Sequence, residues 1–168
     1  MTPLVGREQE VGLLLERWQQ AKTGQGQIIL LSGEAGIGKS RLVQVLKDHL
    51  ADALLMANAE SWNTCVNRLY YSCFYAVSAL LVRDGLSSSR HTGIRSLFNQ
   101  HYVRTGVVPR DLARLYNDLF ERRQESDYAD FVRFQADQVR PWIPQTEAFI
   151  AHMTSLLNPE NPQTDSQG

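Results

Sequence analysis

Residues Gly33 to Ser40, GEAGIGKS, match the pattern G-x-x-x-x-G-K-[ST] in full. Gly33, Gly36 and Gly38 would let the backbone turn tightly and aim its N–H groups at phosphate oxygens. Lys39 would reach the outer phosphates as a point charge, and Ser40 would hold a magnesium ion. A helix opening behind the loop would direct its positive end at the same anion. That is chemistry for ATP with Mg²⁺. A second group able to do chemistry stands late in the chain, in ERRQESDY: Arg122, Arg123, Asp127 and Tyr128. Its arginines could meet phosphate. Arg68 lies inside an apolar helical run, where a half-buried guanidinium wants a carboxylate. Asp127 or Glu125 would supply it, so the same late residues could instead form a structural clasp.

The elements around the phosphate loop are few. Glu8 to Lys22 reads as an amphipathic helix with Val11, Leu14, Leu15 and Trp18 on one face. TGQGQ, Thr23 to Gln27, is a turn, and IILLS, Ile28 to Ser32, suits a short strand buried on both sides. With LVGRE at Leu4 to Glu8, residues 3–47 resemble the N-terminal edge of AAA+ and STAND-type P-loop ATPases. In that family the LVGRE-like segment lies beside the adenine. Hydrolysis also needs an acidic residue at the end of a second strand. No later apolar run ends in Asp or Glu that way, and Ile28 to Ser32 has no partner strand for its backbone groups. ATP hydrolysis is therefore not expected. Two readings of the loop stay open: a nucleotide-binding loop, or a truncated remnant that keeps the motif without the fold.

Behind the loop the pattern is helical. Leu42, Val43, Leu46, Leu50, Leu54 and Ala57 recur at the spacing of one helix face. Trp62, Cys65, Val66, Leu69, Tyr70, Cys73, Phe74, Val77, Leu80 and Leu81 predict a second helix, stopped by Gly85 and Ser87 to Ser89. Thr92 could cap a short third helix carrying Ile94, Leu97, Phe98 and Tyr102, closed near Gly106. Pro109 suits the first turn of a fourth, with Leu112, Leu115, Tyr116, Leu119 and Phe120 inward. Asp127 to Phe131 reads as a bend. Val139, Ile143, Phe149, Ile150, Met153 and Leu157 mark a last segment that Pro141 and Pro144 should kink or delay. The polar end, 158–168, reads as a disordered tail. The fold class expected is mainly α: an antiparallel helical bundle with an incomplete P-loop extension of one helix and one short strand.

The stretch NRLYYSCFYAVSALL, Asn67 to Leu81, resembles the second helix of HEPN domains. In order there follow Gly85, a His-x-Gly turn at His91 to Gly93, and a short helix ending in Tyr102, Thr105 and Gly106. LARLYNDLFERRQESDY, Leu112 to Tyr128, and a terminal amphipathic helix complete the resemblance over residues 48–157. It implies a dimerising bundle, often encoded beside a minimal nucleotidyltransferase, with some members ribonuclease toxins of toxin–antitoxin pairs. It also implies three parts: a truncated P-loop segment at 1–47, a bundle at 48–157 and the tail, joined within one helix near Lys47 to Leu50. The ribonuclease members use Arg-x4–6-His late in the bundle. Here Arg123 has Tyr128 at the His position, and a phenol with pKa near 10 shuttles protons poorly at neutral pH. Arg95 and His101 have the bare spacing, but six helical residues rotate by about 240°, which puts them on different faces. Arg90 and His91, read as loop residues, could touch phosphate. The reading is a binding module for a nucleotidyltransferase-type partner, nucleotide or RNA, with a ribonuclease toxin and an ATP-binding protein as alternatives.

The remaining features fit that frame. A hydrophobic share of 43% supplies a core, and a net charge of −1 gives no global attraction to nucleic acid or anionic lipid. Cys65 and Cys73, eight apart on one helix, are separated by roughly 12 Å of rise, too far for a disulfide. They read as small core residues. Tyr70, Tyr71, Phe74 and Tyr75 are core or dimer contacts before they are a base-stacking surface. His49, His101 and His152 have no metal-ligand spacing and default to exposed positions. No apolar run reads as long enough to span a bilayer, and the N-terminus lacks the features of a signal peptide. A cytoplasmic protein that does not engage membranes is expected.

Overall fold

The computed structural model describes the backbone of residues 37–128 and 133–158, and side chains of 44–125 and 133–158. These residues fall in one compact unit that begins at Glu34. They form a mainly α bundle: α1 (Ile37–Asn58), α2 (Trp62–Arg83), α3 (His91–Phe98) continued by a π-helical turn (Asn99–Val103), α4 (Arg110–Tyr128), a short α5 (Ala136–Val139) and α6 (Trp142–Leu157). No strand occurs among the described residues. The strand expected at Ile28 to Ser32, the helix at Glu8 to Lys22 and the tail beyond Asn158 lie outside them.

Every other helix touches α2, with α1, α6 and α4 making the largest contacts. Its sequence explains why. Cys65, Val66, Leu69, Tyr70, Cys73, Phe74, Ala76, Val77, Leu80 and Leu81 are all buried, so the apolar stripe wraps most of the helix. By length and composition α2 is long and apolar enough to cross a membrane, which the sequence reading did not expect. In the fold 72% of that apolar window is buried. The other helices cover most of it. Both cysteines are buried and free, as their spacing requires.

Helix ends follow local chemistry. Gly85 at φ 73° stops α2. The Leu86 N–H returns to Leu81 O at 2.8 Å and the Gly85 N–H to Val82 O at 3.0 Å, the paired bonds of a Schellman cap. The turn after α1 makes the same pair of bonds, Ser61 N–H to Met56 O at 2.9 Å and Glu60 N–H to Ala57 O at 3.1 Å. There the left-handed residue is Glu60, at φ 56°, where glycine would be unstrained.

Several expectations need correction. Among the described side chains of α1, Leu46 and Ala53 are the fully buried ones, whereas Leu54 is 40% exposed. The inward face keeps Leu46, whose carbonyl accepts from the Ser72 hydroxyl at 3.1 Å, with Leu50 and Ala57 half-buried, and takes Ala53 in place of Leu54. Leu42 and Val43 lie outside the described side chains. Thr92 does not cap α3. Arg90 holds that position in extended conformation, and Thr92 sits inside the first turn. His91 is therefore the first helical residue, not a loop residue. Asp127 does not begin a bend, since α4 runs on to Tyr128. Pro141 and Pro144 delay the last helix as expected: Pro141 precedes α6 and Pro144 sits in its first turn, where no N–H is required. α1 runs unbroken through Lys47 to Leu50.

Candidate functional site

Tyrosines alternate between two environments along α2. Tyr70 and Phe74 point inward, at 0% and 2% exposure. Tyr71 and Tyr75, each one residue on, are only half-buried. The inner pair joins a ring stack in which Tyr70 lies parallel to Tyr116 at 6.3 Å and Tyr116 stacks on Phe149 at 6.1 Å. Aromatic contacts of this kind are worth about 0.5–1.5 kcal/mol each beyond burial. The outer pair meets charge.

Arg123, from α4, places its guanidinium carbon 5.6 Å from the ring centres of both Tyr70 and Tyr71. Its Nη2 donates to the Tyr71 hydroxyl at 3.2 Å. From the other side comes His91, at the start of α3. Its Nδ1 is 2.9 Å from the Tyr70 hydroxyl. Its ring stacks on Phe74 at 4.2 Å and stands edge-on to Tyr71 at 6.2 Å. Burial raises the Tyr70 phenol well above its ordinary pKa, with Arg123 opposing. The phenol thus stays protonated, and its hydroxyl shares a hydrogen bond with the His91 Nδ1. Two helices thus bring a guanidinium and an imidazole, 32 residues apart in sequence, to one tyrosine pair.

Gly93 fixes where α3 begins. A Cβ on it would lie 2.0 Å from Ser88 Oγ and 2.8 Å from Ser88 Cβ. The second of these cannot be relieved by rotating a hydroxyl. Ser88 must come this close because its Oγ accepts the Arg90 N–H at 3.2 Å, next to His91. The His-x-Gly turn is thus a packing requirement that delivers the imidazole.

Beyond Tyr71 the surface continues to Tyr75, at 5.9 Å, and to His49 of α1, which stacks on Tyr75 at 5.1 Å. Burial and then the Arg68 charge hold His49 below its usual pKa, against the raising influence of Asp52 and Asp48. Its Nδ1 is buried without a hydrogen-bond partner among the described residues. His49 is not the exposed residue its spacing suggested. His152 is half-buried as well, with Nε2 3.3 Å from the Val107 carbonyl oxygen, whereas His101 is exposed.

The late residues singled out by sequence separate in the fold. Arg122 faces solvent and pairs with Glu125 at 2.9 Å, both about half exposed. Glu125 therefore serves Arg122 in this structure. Asp127 and Tyr128 are helical, and their side chains lie outside the described ones, as does any pairing of Arg68 with Asp127. Arg95 does not meet His101; it pairs with Glu121 at 3.1 Å and lies over the Phe120 ring at 4.7 Å. At the front of α1, Gly38, Lys39 and Ser40 occupy the first turn. That fits a phosphate at a helix N-terminus. The side chains of Lys39 and Ser40, and Gly33 and Gly36 altogether, lie outside the described residues. If they hold ATP and Mg²⁺, Lys39 would neutralise phosphate charge and Ser40 would ligate the metal. The convergence of His91 on Arg123 was missed, although His-x-Gly was the signal available for it.

Known proteins resemble this chain in two ways. The AAA ATPase domain family matches residues 3–158. A UPF0332 protein of Thermotoga maritima is 40% identical over 111 residues, covering 66% of this chain and 84% of that protein. Two candidate toxins of Methanocaldococcus jannaschii also match. MJ0142 is 23% identical across 72% of this chain and 82% of its own length. MJ0605 is 24% identical across 69% and 86%. The chain belongs to the UPF0332 family through these relatives, and to the AAA ATPase domain family by the match over 3–158. The ATPase match backs the phosphate-loop segment at its front, while the described residues under the remainder are the helical bundle. The UPF0332 and toxin-named relatives fit a HEPN-type family.

Proposed function

We propose that this chain is a HEPN-type bundle of the toxin–antitoxin kind, a binding module that takes up RNA at the Arg123–Tyr71–His91 cluster. One observation carries the reading. Arg123 and His91, remote in sequence, meet at the same tyrosine pair. A guanidinium recognises phosphate by charge and hydrogen bonding, and half-buried tyrosines offer faces on which bases stack. The toxin names of two relatives support the toxin–antitoxin part of this reading. The bundle dimerises and pairs with a nucleotidyltransferase-type partner. Residues 1–47 form a truncated P-loop segment joined to the bundle within α1.

A second reading has the same cluster cleave RNA. It is favoured by His91, which brings an imidazole, the commonest proton-transfer group, to the tyrosine pair while the late helix carries Tyr128 at the family's His position. A third has the front loop bind ATP, favoured by the ATPase-family match. One set of measurements separates them. Labelled single-stranded RNA should bind the wild-type chain and bind Arg123→Ala at least tenfold more weakly. If the wild type does not bind RNA, the proposal fails. RNA shortened by wild type and left intact by His91→Ala would establish cleavage. ATP binding lost on Lys39→Ala would establish the third; equal, negligible binding by both would discard it.

A further inference from the structure

α3 carries a feature that the cluster does not use. Along its outer side, and on through the π-helical turn, runs a groove of about 430 Å³ lined by Thr92, Arg95, Ser96, Asn99, Gln100 and Arg104. Every lining side chain can donate a hydrogen bond, two are permanent cations, and no carboxylate lines it. A wall of that chemistry suits an extended anion bearing hydroxyls, such as a sugar–phosphate chain, rather than an apolar ligand.

Two residues of the groove wall are held in place by neighbours. Arg95 is fixed between Glu121 and the Phe120 ring. Asn99 exchanges hydrogen bonds with Asn117 at 3.1 and 3.3 Å, and also donates to the Arg95 carbonyl at 2.9 Å. The π-helical geometry of Asn99–Val103 widens the turn between Arg95 and Arg104. Helix rise separates those two arginines by on the order of 13 Å, more than one nucleotide step. The groove also leads to the cluster. His91 and Arg95 are four residues apart on α3, so they share a face. Phe120, beneath Arg95, contacts Tyr70 at 6.0 Å.

We infer that this groove is a second subsite, in which Arg95 and Arg104 bind the phosphates of a single-stranded RNA whose neighbouring nucleotides occupy the Arg123–His91 cluster. The inference rests on the RNA-binding reading above and adds where the strand runs. The test is fluorescence anisotropy with a labelled single-stranded RNA of about a dozen nucleotides, titrated against the full chain at several salt concentrations. The Arg95→Gln/Arg104→Gln double variant should bind about tenfold more weakly near 0.15 M salt. Its log–log salt slope should be shallower by about 1.4, the change for two phosphate contacts on a single strand. The Arg95→Lys/Arg104→Lys variant should keep most of that slope. Glu121→Gln, which removes a competing anion, should tighten binding.

A double Gln variant with wild-type affinity and slope, while Arg123→Ala is weakened, overturns the subsite and leaves the cluster standing. Loss in the double variant with none in Arg123→Ala supports the groove and removes the cluster. A wild-type chain that binds no RNA removes both.

Discussion

The two faces of α2 use similar residues for different ends. On the inner face Tyr70, Phe74 and Leu69 are sealed against α4 and α6, and the parallel Tyr70–Tyr116 stack belongs to the core. On the outer face Tyr71 and Tyr75 keep their edges in solvent and are flanked by Arg123, His91 and His49. One residue of offset moves a side chain by about 100° around the helix. That rotation separates rings that hold the bundle together from rings that can hold a ligand. Tyr70 serves both, since its ring is buried while its hydroxyl meets His91. Substitutions on the inner face should therefore cost stability, and substitutions on the outer face should cost binding.

The largest effect belongs to the core. Leu69→Ala, fully buried at the centre of the hub helix, should lose about 2–5 kcal/mol in urea unfolding through transfer and cavity costs. A loss below about 1 kcal/mol would mean that the inner face is not the organising core. Gly93→Ala should lose about 1–3 kcal/mol, because Ser88 must be pushed away. It should also weaken RNA binding by displacing His91, a double effect that Leu69→Ala read at matched folded fraction should not show.

His49 gives a pH-dependent test of the outer face. Its folded pKa lies below the ordinary 6.5, so the unfolded chain takes up a proton that the folded chain resists. More protons bound when unfolded means that stability rises with pH. Stability should accordingly fall as pH drops below about 6.5, towards the depressed folded pKa, and His49→Gln should flatten that limb in unfolding curves at pH 5 and pH 7.5. Parallel limbs for the two proteins would refute the burial argument. Glu60→Gly should have the smallest effect, a gain of up to about 1 kcal/mol, because glycine accepts the φ of 56° there without strain. A thermal scan that shows destabilisation would contradict it.

Much of the bundle was legible in the sequence, because apolar periodicity is a local property. Nine of the ten residues predicted for the α2 face, all but the half-buried Trp62, are buried, and Gly85 marked the helix end. What failed was rotation and register. Leu54 has the right spacing for a core face, yet the neighbouring Ala53 takes the buried position and Leu54 is left 40% exposed. Thr92 is a sound capping residue, but Ser88 packed on Gly93 starts the helix earlier. The π-helical turn at Asn99–Val103 leaves no distinct periodic signature. The site was half legible. The late arginines could be chosen by motif, whereas nothing local tells Arg122 from Arg123 or brings His91 to either. That meeting is made by tertiary packing, which spacing alone does not encode.

The neighbouring arginines of α4 test the central claim most directly. Arg122 is tied to Glu125 in solvent, and an exposed pair of this kind contributes about 0–1 kcal/mol. Arg123 lies over the two tyrosines. Single-stranded RNA should be titrated against Arg122→Ala and Arg123→Ala side by side, with folding checked by circular dichroism. The account predicts near wild-type binding for Arg122→Ala and a loss of at least tenfold for Arg123→Ala. Equal losses, or a larger loss from Arg122→Ala, would contradict a site built on the outer face of α2.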